Sequence, residues 1–198
     1  LITAQGKSLT FSSGALLSGW VDVDSGDIIQ AVPLSASTGS LQNLGGGNWT
    51  FTPPAGFAGD VELRYSVVDR QNAGATGTTT IRVTPNQSPT AVNDSGSNRE
   101  DNPITGNVLS NDSDADGNGL SVTGFRVAGL AGNFTVGTSA NITGVGSLRI
   151  NADGSYVFSP SANFNGVVPV ATYTVSDGLA TATATLALSV EPVNDAPT

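Results

Sequence analysis

The sequence predicts an all-β chain of two antiparallel β-sandwiches in tandem, and three observations predict it: short apolar/polar alternation, turn formers between the alternating runs, and a second half that repeats the first. Alternation is clearest at Trp49/Phe51, Val61/Leu63/Tyr65/Val67, Tyr156/Phe158 and Leu186/Leu188/Val190. A period of two belongs to strands with one buried face, which makes Trp49, Phe51, Tyr156 and Phe158 core residues. Asp24-Ser-Gly26, Leu44-Gly-Gly-Gly-Asn48, Asn151-Ala-Asp153-Gly154 and Ser176-Asp177-Gly178 separate the runs. Asp153-Gly154 reads as a two-residue hairpin turn. With 25 Gly and 10 Pro in 198 residues, many short strands fit better than helices.

The repeat fixes the domain count. Gly39-Ser40-Leu41 matches Gly146-Ser147-Leu148, Trp49-Thr-Phe51-Thr-Pro53 matches Tyr156-Val-Phe158-Ser-Pro160, and Phe57-Ala-Gly59 matches Phe164-Asn-Gly166, all at one offset of 107 residues. Tyr65-Ser-Val-Val-Asp69 then matches Tyr173-Thr-Val-Ser-Asp177, and both copies close on a Thr-rich strand ending at Pro85 or Pro192. The predicted domains are 1–85 and 95–191, each a two-sheet sandwich. A stiff linker that follows Pro85 and carries Pro89 covers 86–94, and 192–198 begins another that leads to a third copy. The second unit carries an insertion around Ala128 to Val145.

Charge and composition exclude whole classes of function. Sixteen acids against seven bases give a formal charge of -9, which repels nucleic acid and anionic lipid and favours cations. The absence of Cys and His removes thiolate, imidazole and zinc-finger chemistry. Paired-carboxylate glycoside hydrolysis needs only two acids, yet the three Glu form no convincing pair, so the chain reads as no enzyme. No apolar run approaches the roughly 20 residues of a membrane span. The expected molecule is a soluble monomeric piece of something larger.

The acids are grouped. Asp22-Val-Asp24-Ser-Gly-Asp27 in the first unit and Asp112-Ser-Asp114-Ala-Asp116-Gly-Asn118 in the second place Asp at alternate positions, where carboxylates repel one another unless a cation intervenes. The second group opens like an EF-hand loop, but its twelfth position is Thr123 and no helices flank it, so it is not one. Glu100 and Asp101 lie early in the second unit, Asn93 and Asp94 in the linker, and Asp69 and Asp177 at strand ends. If the sandwiches stack end to end, Asp69 meets Asn93, Asp94, Glu100, Asp101 and the Asp114/Asp116 loop at one junction. Calcium, which takes six to eight oxygen ligands, is the expected ion there.

In the order of these motifs, together with Leu109-Ser-Asn111, Tyr173-Thr-Val-Ser-Asp177-Gly178 and Pro192-Val-Asn-Asp-Ala-Pro197, the whole chain resembles the cadherin-like and immunoglobulin-like tandem repeats of large bacterial RTX-type adhesins exported by type I secretion. The resemblance implies Ca2+ at module junctions, an extracellular or cell-surface location, and roles in attachment and biofilm. It makes neighbouring repeats, surface glycans and the host or biofilm matrix the partners, with no membrane insertion. The first unit departs from the pattern: Ala4-Gln5 stands where the second has Glu100-Asp101, and Arg70-Gln71-Asn72 follows Asp69 where Gly178 follows Asp177. A second reading is a carbohydrate-binding adhesive module, with Trp20 or the loop from Asn133 to Asn141 contacting sugar. Thr181-Ala-Thr183-Ala-Thr185 resembles a water-ordering array, although one strand is too little and Thr simply favours sheets.

Overall fold

The computed structural model describes residues 1–22, 29–71 and 73–194. The chain divides into two compact units, Leu1–Asn86 and Gln87–Thr198. It is all-β, with one short 3-10 turn at Ser13–Leu16 among the described residues.

Among the described residues the first unit has seven strands: β1 (Ile2–Ala4), β2 (Leu9–Ser12), β3 (Gln30–Ala36), β4 (Ser40–Gly45), β5 (Asn48–Thr52), β6 (Gly59–Val68) and β7 (Gly74–Thr84). They form two sheets, ordered β1-β7-β6-β3 and β2-β5-β4. The chain crosses between the sheets from β1 to β2, β2 to β3, β3 to β4 and β5 to β6, while β4-β5 and β6-β7 are hairpins, the Greek-key arrangement of immunoglobulin-type sandwiches. β1 runs parallel to β7, with Ile2 opposite Arg82 and Ala4 opposite Thr84. Phe11, Phe51, Val61, Leu63, Tyr65, Ile81 and Val83 form the core between the sheets.

The second unit repeats the plan with additions. β8 (Asp94–Arg99) runs parallel to β17 (Thr181–Glu191), and β17 also pairs β16 (Ala171–Ser176) and the short β15 (Gly166–Val167). β10 (Ser121–Val127) and β11 (Phe134–Thr135) complete that sheet. The facing sheet is β12 (Ser139–Ile142), β13 (Gly146–Ile150), β14 (Ser155–Pro160) and β9 (Ile104–Asn107), in that order. The insertion read in the sequence therefore becomes β11 and β12. Where β6 is one strand in the first unit, its counterpart is split into β15 and β16.

Phe51, Phe158 and Tyr156 are buried, whereas Trp49 is half-buried at the margin of its core. The hairpin expectation is corrected. Asn151 N donates to Ser155 O at 2.9 Å and Gly154 N to Asn151 O at 3.0 Å, so Ala152, Asp153 and Gly154 form a three-residue loop with Gly154 at φ 82°. Such loops combine a type I turn with a left-handed residue. The two-residue turn lies in the first unit, where Gly45 pairs with Asn48 across Gly46 and Gly47, both at positive φ.

The repeated Gly39 and Gly146 have a common cause. Gly39 lies at φ 80°, and a Cβ there would come within 2.7 Å of the Phe51 ring and 2.6 Å of Thr52 O. A Cβ on Gly146 would meet the Phe158 ring at 2.8 Å and the backbone of Ser159 and Pro160. Each glycine lets a strand enter against a fully buried phenylalanine of its core. Gly146→Ala should therefore destabilise the second unit by about 2–3 kcal/mol, through overpacking and a disfavoured backbone conformation. Chemical denaturation would show the second unit's transition shifted and the first unit's unchanged.

Candidate functional site

The acids of the second unit occupy two separate places. β8 carries the chain from Asp94 to Arg99, so Asp94 and Glu100 stand at opposite ends of a strand, roughly 20 Å apart at about 3.3 Å per residue. The expectation that Asn93, Asp94, Glu100, Asp101 and the Asp114/Asp116 loop share one junction is corrected here: Glu100 and Asp101 belong to the far end.

At the near end, the Asp112–Asp116 loop holds the entering chain. Thr90 bridges to Ser113 through two backbone hydrogen bonds of 2.8 and 3.1 Å. Val92 N donates to Asp112 Oδ1 at 2.7 Å and Gln87 N to Asp116 Oδ2 at 2.6 Å. Of the segment 86–94 read from the sequence as linker, residues from Gln87 onward are thus fastened to the second unit, while Asn86 N bonds to Gln5 of the first. Asp114 Oδ1 accepts from the N–H groups of Asp116 and Asn118, closing the loop on itself around Gly117. Asn93 Oδ1 accepts from Thr185 N, which seats the segment on β17.

Asp94 is satisfied from below. The Tyr173 hydroxyl lies 2.6 Å from Asp94 Oδ2, 3.0 Å from Val92 O and 3.2 Å from Val108 O, and its one proton goes to the carboxylate. Burial and the neighbouring Asp94 and Asp112 charges push the tyrosine's pKa up. Desolvation raises the pKa of Asp94 above its ordinary value, outweighing hydrogen bonds from Tyr173 and Asn111. It raises that of Asp112 too, with Val92 N–H opposing and the Asp94 charge assisting. Asp112 Oδ2 and Asp114 Oδ2 are buried and have no hydrogen-bond partner among the described residues. Tyr173 is legible in the sequence only as the repeat of Tyr65, and that match carries no signal of its hydroxyl's role, since the Tyr65 hydroxyl accepts from Trp20 Nε1 at 3.2 Å.

At the far end, Glu100 fastens the departing chain. Glu100 N donates to Glu191 O at 2.8 Å, the last rung beside β17. Its side chain, 4% exposed, accepts from Val193 N through Oε1 and from Asn165 Nδ2 through Oε2. The first unit repeats this with an uncharged group: Gln5 N donates to Thr84 O at 2.9 Å, and Asn86 N donates to Gln5 Oε1 at 3.1 Å. The pairing of Ala4-Gln5 with Glu100-Asp101 is therefore displaced by one. Gln5 stands for Glu100, and Gly6 (φ 76°) for Asp101 (φ 64°). Both occupy a left-handed position that Gly takes freely and Asp tolerates. Asp101 Oδ1 also accepts from Asn163 N at 3.3 Å.

The remaining candidates divide plainly. Asp69 Oδ1 accepts from Ala73 N, and Asp177 Oδ1 from the N–H groups of Leu179 and Ala180, so each shapes its β-hairpin. Asp22 and Asp69 line one hollow of about 190 Å3 with Trp20, Ile29 and Val67. Asp24 and Asp27 lie outside the described residues. Among the described residues no three carboxylates come together as a set able to hold a metal ion.

Two Greek-key sandwiches, each with its first strand parallel to its last and its exit fastened by an acceptor at the end of that first strand, define tandem immunoglobulin- or cadherin-type modules. The chain belongs to the bacterial cadherin-like domain family: the model of that family matches residues 86–192, and that of a cadherin-like domain matches residues 1–84. Domains of this kind are typically non-enzymatic, extracellular modules of adhesion or structural repetition. No curated protein matches the chain. Among solved structures it is similar in fold to Sidekick-1 immunoglobulin domains 1-5, at 12% identity over 98% of this chain and 38% of that one, with a TM-score of 0.52. Matches to Drosophila N-cadherin EC1-4 have 14% identity over 88% and 44% of the two chains and a TM-score of 0.37. Those to an endo-fucoidan hydrolase of glycoside hydrolase family 107 have 16% identity, cover 98% of this chain and 28% of the hydrolase, and have a TM-score of 0.37.

Two outcomes follow from this geometry. Glu100→Gln should keep metal-free stability within about 1 kcal/mol, because Gln5 performs the same task, whereas Glu100→Ala should cost about 1–3 kcal/mol by orphaning the Val193 N–H; metal-free urea titrations separate the two. Folding raises the pKa values of Asp94 and Asp112, so the stabilisation they give is fully present below the unfolded value of 3.8 and is lost as pH rises through the folded values. Asp153, held low by the Ser155 hydroxyl and N–H, has the opposite sign but acts only below the ordinary carboxylate range. Metal-free melting of the second unit should therefore rise as pH is lowered from 7 towards about 4.5.

Proposed function

We propose that the chain is a pair of calcium-binding extender repeats of a bacterial surface adhesin, stiffened by Ca2+ at module junctions and supporting cell attachment and biofilm formation. The observation that carries this reading is the pair of buried carboxylate oxygens, Asp112 Oδ2 and Asp114 Oδ2, two residues apart in one loop and without a hydrogen-bond partner among the described residues. An orphaned buried polar atom costs about 1–3 kcal/mol, more when charged, and a cation removes that cost. Glu100 adds support as a buried acid with N–H donors and no basic partner among the described residues.

The donors fit a hard cation. Carboxylates, Asn side chains and backbone carbonyls are the oxygen ligands that calcium takes, and the chain has no Cys or His to draw a softer metal. Asp112 and Asp114 would hold an ion at the entrance of the second unit, with Asp94 and Asp116 adding charge nearby, and Glu100 and Asp101 would offer a second place at its exit. When bound, calcium supplies the positive charge that these acids lack. The residues themselves do the mechanical work: Asp112 and Asp116 hold the entering backbone, and Glu100 the departing one. Neutralising them tightens segments already fastened by hydrogen bonds, which stiffens each unit where it joins the next. Secretion by a type I route and RTX-type neighbours accord with the acidic, cysteine-free composition.

Calcium at about a hundred times its dissociation constant would add about 2.7 kcal/mol, a rise in melting temperature of about 10–20 °C for a unit of this size. Calorimetry with calcium and with chelator should show that rise in the second unit, and Asp112→Asn and Asp114→Asn should each abolish much of it while raising metal-free stability. Identical melting of the native chain in calcium and in chelator would end the proposal.

A further inference from the structure

Asparagine followed two residues later by Ser or Thr is the pattern that N-linked glycosylation reads, and the chain carries it at Asn48, Asn86, Asn93, Asn111, Asn133 and Asn141. The structure divides them into two groups. Those with Ser are occupied by the fold: Asn86 is half-buried and gives its N–H to Gln5, Asn93 Oδ1 accepts from Thr185 N at 2.9 Å, and Asn111 Nδ2 donates to Asn93 O at 3.4 Å. Those with Thr, at Asn48, Asn133 and Asn141, are exposed, and their side-chain amides hydrogen-bond to no described residue.

The free amides stand where an enzyme can reach them. Asn48 opens β5 directly after the Gly46-Gly47 turn, Asn133 immediately precedes β11, and Asn141 lies on β12 between buried Ala140 and Ile142, so its side chain points away from the core. Thr135 and Thr143 are exposed with them, and Thr50 Oγ1 lies 3.2 Å from Thr10 Oγ1 at the surface. A sugar added at these asparagines displaces no structural bond. One added at Asn93 or Asn111 would have to fit beside the bonds that fasten the segment entering the second unit.

Asn133 and Asn141 also mark open edges. β11 ends one sheet of the second unit and β12 ends the other, both within the inserted segment. An edge strand leaves N–H and C=O groups free to pair with another chain, and proteins blunt such edges with proline, a bulge, charge or a cover. The first unit does so on β3, where Pro33 has no N–H and the register slips between Pro33 and Ser35. Phe134–Thr135 and Ser139–Ile142 contain neither proline nor charge, and their pairing is regular. A bulky, hydrated sugar on an asparagine at each strand is a cover of the remaining kind.

We infer that Asn48, Asn133 and Asn141 are sites of N-linked glycosylation, and that the two sugars on the insertion cover the free edges of β11 and β12. The co-reactant is a glycosyl phosphate donor, brought by a glycosyltransferase that reads Asn-x-Thr. The Asn Nδ2 forms a C–N bond to the anomeric carbon as the C–O bond to phosphate breaks. The departing phosphate takes that bond's electron pair, and the amide gives up one proton to a base of the transferase, so nothing is oxidised or reduced. None of the acids around Asp94 and Asp112–Asp116 takes part, and the inference stands apart from the calcium reading.

The experiment is site-by-site mass spectrometry of peptides from the whole chain purified from the cells that produce it, beside the same chain carrying Asn133→Gln, Asn141→Gln or Ser113→Thr. Sugar-mass increments are expected at Asn48, Asn133 and Asn141 and not at Asn86, Asn93 or Asn111. Each Gln variant should lose its own sugar alone. Ser113→Thr gives Asn111 the Thr pattern and should gain no sugar, because the fold withholds that amide. In light scattering the double variant Asn133→Gln/Asn141→Gln should associate at concentrations where the native chain stays monomeric. The inference is overturned if any of the three asparagines is bare in the native chain, or if a Ser site, or Asn111 in Ser113→Thr, carries as much sugar as they do. A double variant as monodisperse as the native chain overturns the covering of the edges.

Discussion

A segment that carries proline and lies beyond its sheet ladder still has backbone N–H groups that need acceptors, and the architecture of both units depends on how that need is met. Proline cannot donate, and its neighbours are held away from regular pairing. Here side-chain oxygens replace the missing ladder: Asp112 and Asp116 for the entry of the second unit, Glu100 for its exit and Gln5 for the exit of the first. The acids are therefore structural before they are ionic. Their charge is a surplus beyond that task, since Gln5 accomplishes it without one. The surplus accumulates as raised pKa values and orphaned oxygens in the second unit, which is where a cation has most to offer.

Most of the fold was legible because it rests on local rules. Period-two alternation names the strands, and the Gly39/Gly146 and Phe51/Phe158 matches name the places where backbone meets core ring. What was not legible depends on counting along strands. Glu100 and Asp94 are close in sequence, so they read as one cluster, yet an extended strand is the shortest way to carry neighbours to opposite ends of a sandwich. The one-residue displacement at Gln5 escaped notice for a related reason. A three-residue strand holds too little pattern to fix its register, and the left-handed position after it is filled by Gly6 in one unit and Asp101 in the other.

The candidate site was legible as a list of acids but not as a set of roles. Asp69 and Asp177 look like ligands in sequence because they repeat, and they repeat because a hairpin needs an acceptor there. Tyr173 looks like packing because it is aromatic, while its hydroxyl supports Asp94. Trp20 looks like a sugar platform because it stands alone, but its indole N–H is directed to Tyr65 and its ring meets that ring edge-on at 6.4 Å. Divergence between the units shows as well on their outer faces, where the Arg64–Glu62 and Arg82–Asp60 pairs of the first have no counterpart among the described residues of the second.

The parallel pairing of first and last strands has a mechanical consequence. Tension applied through the two ends of a unit draws these strands along each other lengthwise, so their rungs share the load and must rupture together, unlike a hairpin that opens one rung at a time. In the first unit this contact is three residues long, Ile2 to Ala4 against Arg82 to Thr84, and in the second it is six, Asp94 to Arg99 against Leu186 to Glu191. A pulled filament of such units would yield first at the shorter seam, leaving the longer one as a catch that holds while its neighbour extends.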